Sequence, residues 1–261
     1  MGIVSYKGVF GAIGDFSKEY NIKFMMKSGI PSYSAAFQAA PVVLGEHNLF
    51  NRYLNYRYFF LLGMFPAVLQ LFIICVVIYA FSYEEKTKSF LDVAHMVSEA
   101  PLSCLIGKSL PYYAIFTAVA GIMLFLTFVY MGTPFRAGFF TVIISTLLFI
   151  AASVTAGITI AVLFRHVAFS AAAVYAAPTF AYAGVTYPQI AMPDLAYVWS
   201  DMLPLTHYHK IMVNEAIRGA GPGTSSYFDV LYLFIFSFLM FTAAIIVTRF
   251  YGKKYDNGNP L

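Results

Sequence analysis

Charge is what this chain has least of. Only 11% of its 261 residues are Asp, Glu, Lys or Arg, whereas a soluble domain is about one quarter charged. A water-facing surface over the whole chain is therefore excluded. Cysteine is scarce as well: Cys75 and Cys104 lie in or beside apolar stretches without CxxC spacing, which argues against a disulfide framework or a structural zinc and reads as two buried thiols. The stretch "IGKSL" lacks the glycine a Walker A loop needs five residues before Gly107, since position 102 is Leu102. No phosphate cradle can form there, and Lys108 reads as a charge at a helix start. At the N-terminus, Tyr6 stands where a myristoylation motif requires Ser or Thr. Residues 1–20 mix Lys7, Asp15, Lys18 and Glu19 with short apolar runs, which does not read as a secretory signal.

Hydrocarbon takes the place of charge. The chain is 60% hydrophobic and 18% aromatic, with a mean hydropathy of +0.73. Crossing a bilayer takes about 20 apolar residues in a helix, and five stretches qualify: 58–82, 111–132, 138–164, 167–187 and 228–249. Lipid offers the backbone no hydrogen bonds, so helices are expected, and the absence of alternating strand segments argues against a barrel. The fold class is all-α: a polytopic helical membrane protein with about five transmembrane helices. A formal net charge of +4 reflects loop bias rather than affinity for nucleic acid.

Basic residues set the orientation. Lys86, Lys88 and Lys108, then Arg165, then Arg249, Lys253 and Lys254 share one side if there are five spans, and that side is cytoplasmic. Residues 1–57 then form a partial extracytoplasmic segment, 58–254 the transmembrane domain and 255–261 a cytoplasmic tail. An external N-terminus without a preceding helix is awkward, and the preferred expectation is a piece of a longer protein whose first membrane helix is missing. The segment "SGIPSYSAAFQAAPV" reads as extended or loop.

One polar segment interrupts the hydrocarbon, at "YAFSYEEKTKSFLDVAHMVSEAP" (79–101). Ser89 and Asp92 form a capping box. Phe90, Val93, Ala94 and Val97 fall on one helix face, with Asp92, His95 and Glu99 on the other. Pro101 ends this short amphipathic helix, which is too polar to span. It serves as a docking surface for a soluble partner; a helix lying on lipid headgroups is the other reading, disfavoured by Glu84 and Glu85.

The order of apolar span, charged turn, amphipathic helix and "PLSCLIGKSLPYY" (101–113) resembles the membrane-spanning permease subunits of ABC-2 type transporters. Gly107, Lys108, Leu110, Pro111 and Tyr112 match that family's entry into its next membrane helix. The upstream "NRYLNYRYFFLLGMFP" (51–66) looks like its entry into the second helix. A later match, 182–221, rests on Pro188, Met192, Pro193, Leu203, Pro204, Leu205 and Thr206. The resemblance covers about residues 51–254. Lys88-Ser89 departs from the Gly-Thr usual after the charged turn, and the spacing to Gly107-Lys108 is redistributed. The family's first membrane helix and most of its external domain have no counterpart here.

The resemblance implies a permease of an ATP-driven exporter that moves an amphipathic or hydrophobic substrate, such as a drug-like molecule, a lipid or a linked glycan. It implies a separate ABC ATPase subunit carrying ATP and Mg, with no catalytic site, cofactor or metal on this chain, and a homodimer or heterodimer in the inner membrane of a bacterium. Glu84, Glu85, Lys86, Asp92, His95 and Glu99 are the expected ATPase-coupling residues. An external helical hairpin broken by Pro188, Pro193 and Pro204, with Trp199 and a capping Thr206, is the expected gate. The alternatives are a membrane scaffold without transport or an inactive permease fragment.

Two further readings come from the residues. In "THYHK" (206–210), His207 and His209 stand two positions apart and point to different sides of a helix, unlike the i, i+4 pair of a zinc protease. An interfacial girdle of Tyr197, Trp199, Tyr208 and His209 is preferred over a metal site. The spans hold almost no ionisable groups, and Asp229 lies near an end, so an energy source outside the membrane is favoured over ion coupling.

Overall fold

The structure is a computed structural model that describes residues 2–32, 34–35, 60–86, 100–133, 135, 138–164, 167–186, 189–219 and 224–256. The chain divides into two compact units, Met1–Leu54 and Asn55–Leu261. In the first unit, helix α1 runs over Gly2–Lys27. It closes on Gly29, whose φ of 83° lets Ile30 N–H return to the Met25 carbonyl at 3.2 Å. Phe16, Tyr20 and Phe24, spaced by one turn, are all exposed. Of "SGIPSYSAAFQAAPV", positions 32, 34 and 35 are helical and residues 36–42 lie outside the described residues.

The second unit is a helical bundle. A π-helical turn, Phe60–Met64, leads into α2 (Phe65–Lys86). Next come α3 (Pro101–Phe125), extended by a π turn at Leu126–Tyr130, and α4 (Phe139–Phe164). Helix α5 covers Ala168–Tyr182. The short helices α6 (Asp194–Asp201) and α7 (Pro204–Met212) follow, the latter continuing as a π turn to Arg218. Finally α8 runs over Thr224–Asp256. Among the described residues there is no strand, and the protein is an all-α polytopic membrane protein.

Among the described residues, four helical stretches are long and apolar enough to cross a membrane: Phe60–Tyr83, Leu102–Tyr130, Phe139–Phe164 and Ser226–Tyr251. They take up four of the five expected spans. The fifth stretch appears as α5, whose 15 residues extend about 22 Å, less than the hydrocarbon thickness of about 30 Å. It stops before Gly184, where φ is 78°. The second span starts earlier than the sequence suggests: Pro101 opens α3 instead of only closing what precedes it. Lys108 therefore lies inside a helix, its Nζ 3.6 Å from the centre of the Phe81 ring.

Helix α4 is the axis of the bundle and meets α2, α3, α5, α7 and α8. Its residues from Ala152 to Ile158 are all buried. Small residues permit this: a Cβ at Gly157 would lie 3.1 Å from Val77 Cβ, so α2 crosses α4 with backbone nearly in contact. Hydroxyls buried in the bundle donate to carbonyls one turn back, as Ser153 does to Phe149 at 2.8 Å. Thr159 also reaches the Met240 carbonyl on α8 at 2.8 Å. The outer surface carries Phe72, Tyr79, Phe125, Phe140, Phe238 and Phe250, the apolar coat a lipid-facing bundle needs.

Candidate functional site: a fastened helical hairpin

Proline decides where the hairpin turns. Pro193 caps α6 in an extended conformation, and Pro204 occupies the first turn of α7, where its locked φ and missing N–H fit. Leu203, at φ −92° and ψ 127°, is the N-cap of α7. Thr206 is therefore not the cap expected from the sequence: it lies inside the helix, fully buried. Gly219, at φ 63°, ends the helix.

The turn between α6 and α7 is pushed into the bundle. Leu203 and Leu205 are buried, and Leu205 shares a core with Leu62, Phe149, Tyr208, Ile211 and Leu233. Each side of α7 has its own fastening. On one side, His207 Nδ1 lies 2.6 Å from Asp229 Oδ1 of α8, while its Nε2 lies 2.8 Å from the Asp201 carbonyl at the end of α6. The imidazole stacks on Tyr232, centroids 3.8 Å apart, and the Tyr232 hydroxyl donates to the Met202 carbonyl at 2.8 Å. One His–Asp pair thus ties both arms of the hairpin to α8. With Asp229 ionised both ring nitrogens donate; with Asp229 protonated its O–H donates to Nδ1 and Nε2–H to the carbonyl.

The opposite side faces α4 and the start of α2. Tyr208 stacks on Phe149 with centroids 4.4 Å apart and shares a hydrogen bond of 3.0 Å with Thr146 Oγ1. His209 donates from Nδ1 to the Leu62 carbonyl at 3.3 Å. Burial pushes the His209 ring below its usual value, opposed by that carbonyl. At the end of α6, Ser200 donates to the Tyr182 carbonyl and accepts from Gln189 Nε2 at 2.7 Å, joining the hairpin to α5.

The site residues expected from the sequence fare differently. Pro193, Trp199, Pro204 and Thr206 all belong to the hairpin, while Pro188 lies outside the described residues. Glu84, Glu85 and Lys86 form the last turn of α2; Asp92, His95 and Glu99 lie outside the described residues. The aromatic girdle divides: Tyr197 and Trp199 are exposed, but Tyr208 is buried and His209 is enclosed against Leu62, because α7 is a wedge in the bundle and not a rim. His207 and His209 do point apart, and no cluster of potential metal ligands occurs among the described residues.

What sequence reading missed is the fastening itself: His207, Asp229, Tyr232 and the Lys210–Asp201 pair at 3.0 Å. The available signal was Asp229, an acid within an apolar helix. Glu215 was also missed; it is fully buried on the π turn after α7, and among the described residues neither carboxyl oxygen is hydrogen-bonded.

No curated protein and no solved structure matches this chain. The family described as ABC-2 family transporter protein matches residues 6–246, a range that takes in the first three spans, most of the fourth, the hairpin and its fastenings. The chain belongs to the ABC-2 transporter family, as a membrane-spanning permease component.

Proposed function

We propose that the protein is the permease subunit of an ATP-driven ABC-2 exporter, moving an amphipathic or hydrophobic substrate outward across a bacterial inner membrane as a homodimer or heterodimer. ATP and Mg act on a separate ABC ATPase. Glu84, Glu85 and Lys86, with Asp92, His95 and Glu99 beyond them, form its contact, and closure of the ATPase pushes on the end of α2. At the other end the hairpin of α6 and α7, bearing Pro188, Pro193, Trp199, Pro204 and Thr206, acts as the external gate.

The observation that carries this reading is the hairpin wedge, fastened to α8 through His207–Asp229 and to α4 through Tyr208–Thr146. Direct bonds to the spans let their tilting shift the wedge. The test is to purify the tagged protein from its native membranes in mild detergent and assay co-purifying ATPase activity. The activity should accompany the wild type and be lost with Glu84→Lys/Glu85→Lys, while the variant still inserts. Activity that survives the reversal, or never co-purifies, overturns the assignment.

A further inference from the structure

Near the end of α3 stands a glycine that close packing does not require. A Cβ added at Gly157 would press on Val77, but one added at Gly121 would meet nothing within 4 Å among the described residues, although glycine weakens a helix interior. The space it leaves open belongs to a cleft of about 540 Å³ between α3, with its π turn, and the start of α4. None of the residues lining the cleft has a polar side chain.

The walls are built rather than slack. Phe128 meets the Phe135 ring edge-on with centroids 4.9 Å apart, and Phe135 meets Phe139 in the same way at 6.4 Å. All three rings line the cleft. The backbone of α3 widens at the same place: the Met131 N–H bonds the Leu126 carbonyl, five residues back, at 2.9 Å, and π turns of this kind are frequent at functional sites. Phe125, Val129 and Phe139 on the rim are more than half exposed, so the cleft opens on the apolar coat of the bundle.

These features define the occupant. Water would find no polar partner in such a space, and a void would forfeit the dispersion contacts of its lining. An apolar cavity of about 150 Å³ already accepts benzene, so a ligand several times larger fits here. From Gly121 to Val129 the cleft follows α3 for about 12 Å by helix rise, an elongated shape that suits a chain better than a ring. We propose that the cleft binds one acyl chain of a bilayer lipid, laid along α3 between the Gly121 opening and the three phenylalanine rings. The site requires a membrane around the bundle and does not require ATP-driven export.

Photolabelling tests it. The full chain is reconstituted in dioleoyl phosphatidylcholine containing a trace of phosphatidylcholine with a diazirine midway along one acyl chain, irradiated, and its adducts mapped by mass spectrometry. A chain held between two walls gains roughly ten carbon contacts over one lying on a flat helix face, which corresponds to about fivefold higher occupancy. Adducts on residues 121–129 and 139–143 should exceed by that factor those around Phe234 and Phe238, exposed on α8. Gly121→Leu fills the open space and should bring the excess down to the α8 level, whereas Gly121→Ala should keep most of it. Val129→Trp, which narrows the cleft from its exposed rim, should act like Gly121→Leu, so the result does not depend on the folding of one variant. Equal labelling of cleft and α8, weaker labelling of the cleft because another chain covers it, or an excess that survives both variants overturns the site. No ATPase activity is measured, so failure here is separate from failure of the exporter reading.

Discussion

Tyr208 lies flat against Phe149, with ring centroids 4.4 Å apart and planes 12° apart, and its hydroxyl is 3.0 Å from Thr146 Oγ1. The ring and the hydroxyl can be tested separately. Tyr208→Phe leaves Thr146 its bond to the Val142 carbonyl and should cost about 1 kcal/mol. Tyr208→Ala also empties the space against Phe149 and should cost about 3–5 kcal/mol. Thermal unfolding in detergent distinguishes them; equal losses would mean that stacking adds nothing.

The His207–Asp229 pair gives an asymmetric expectation. Removing one partner strands the other in a buried site, so His207→Ala or Asp229→Ala should each destabilise by about 3–5 kcal/mol. The double variant His207→Leu/Asp229→Leu should lose clearly less than the sum of the two. Additive losses in the unfolding midpoints would show that the two side chains do not act as a pair.

His209 makes stability depend on pH. Its folded ring binds a proton less readily than the unfolded one because it is buried. Stability is therefore unaffected well above the ordinary His value of about 6.5 and declines as pH falls through that value towards the lowered one. His209→Gln, which retains a donor for Leu62, should flatten the fall in unfolding midpoint between about pH 7 and 5. An unchanged slope would assign the loss to other groups.

Gly63 sits where the first turn before α2 meets Val185, and an added Cβ would collide with the Val185 methyl Cγ1. Gly63→Ala should cost about 1–3 kcal/mol. Adding Val185→Ala should recover part of that loss, as measured by the midpoint of the double variant. Failure to recover would locate the strain in the π turn instead.

Glu215 is a buried carboxyl with no hydrogen-bond partner among the described residues. Glu215→Met keeps much of the side-chain volume and removes the unmatched polar atoms, so stability should rise by about 1–3 kcal/mol. A lower unfolding midpoint would show that the carboxyl has a bonding partner beyond the described residues.

The architecture was readable because it depends on long apolar runs: residues such as 138–164 admit little but a buried helix, and Phe139–Phe164 is found. The fastening was not. His207 and Asp229 are 22 positions apart and meet only because α7 folds back against α8, which no periodicity encodes. Tyr208 and His209 were misplaced for the same reason: an amphipathic pattern shows that a helix has two faces but not whether the polar one meets water or another helix. The short α5 escaped notice because hydropathy measures composition, while the length of a helix depends on where its backbone turns at Gly184.

The contact at Gly157 has a mechanical consequence. Between α2 and α4 there is little side-chain layer to compress, since Val77 meets the glycine almost directly. If the ATPase presses on Lys86 as proposed, the load would therefore pass along both helices with little loss to local repacking. A bulkier residue at position 157 would then act as a shock absorber: the protein would still insert, yet the proposed stroke would reach the far end shortened.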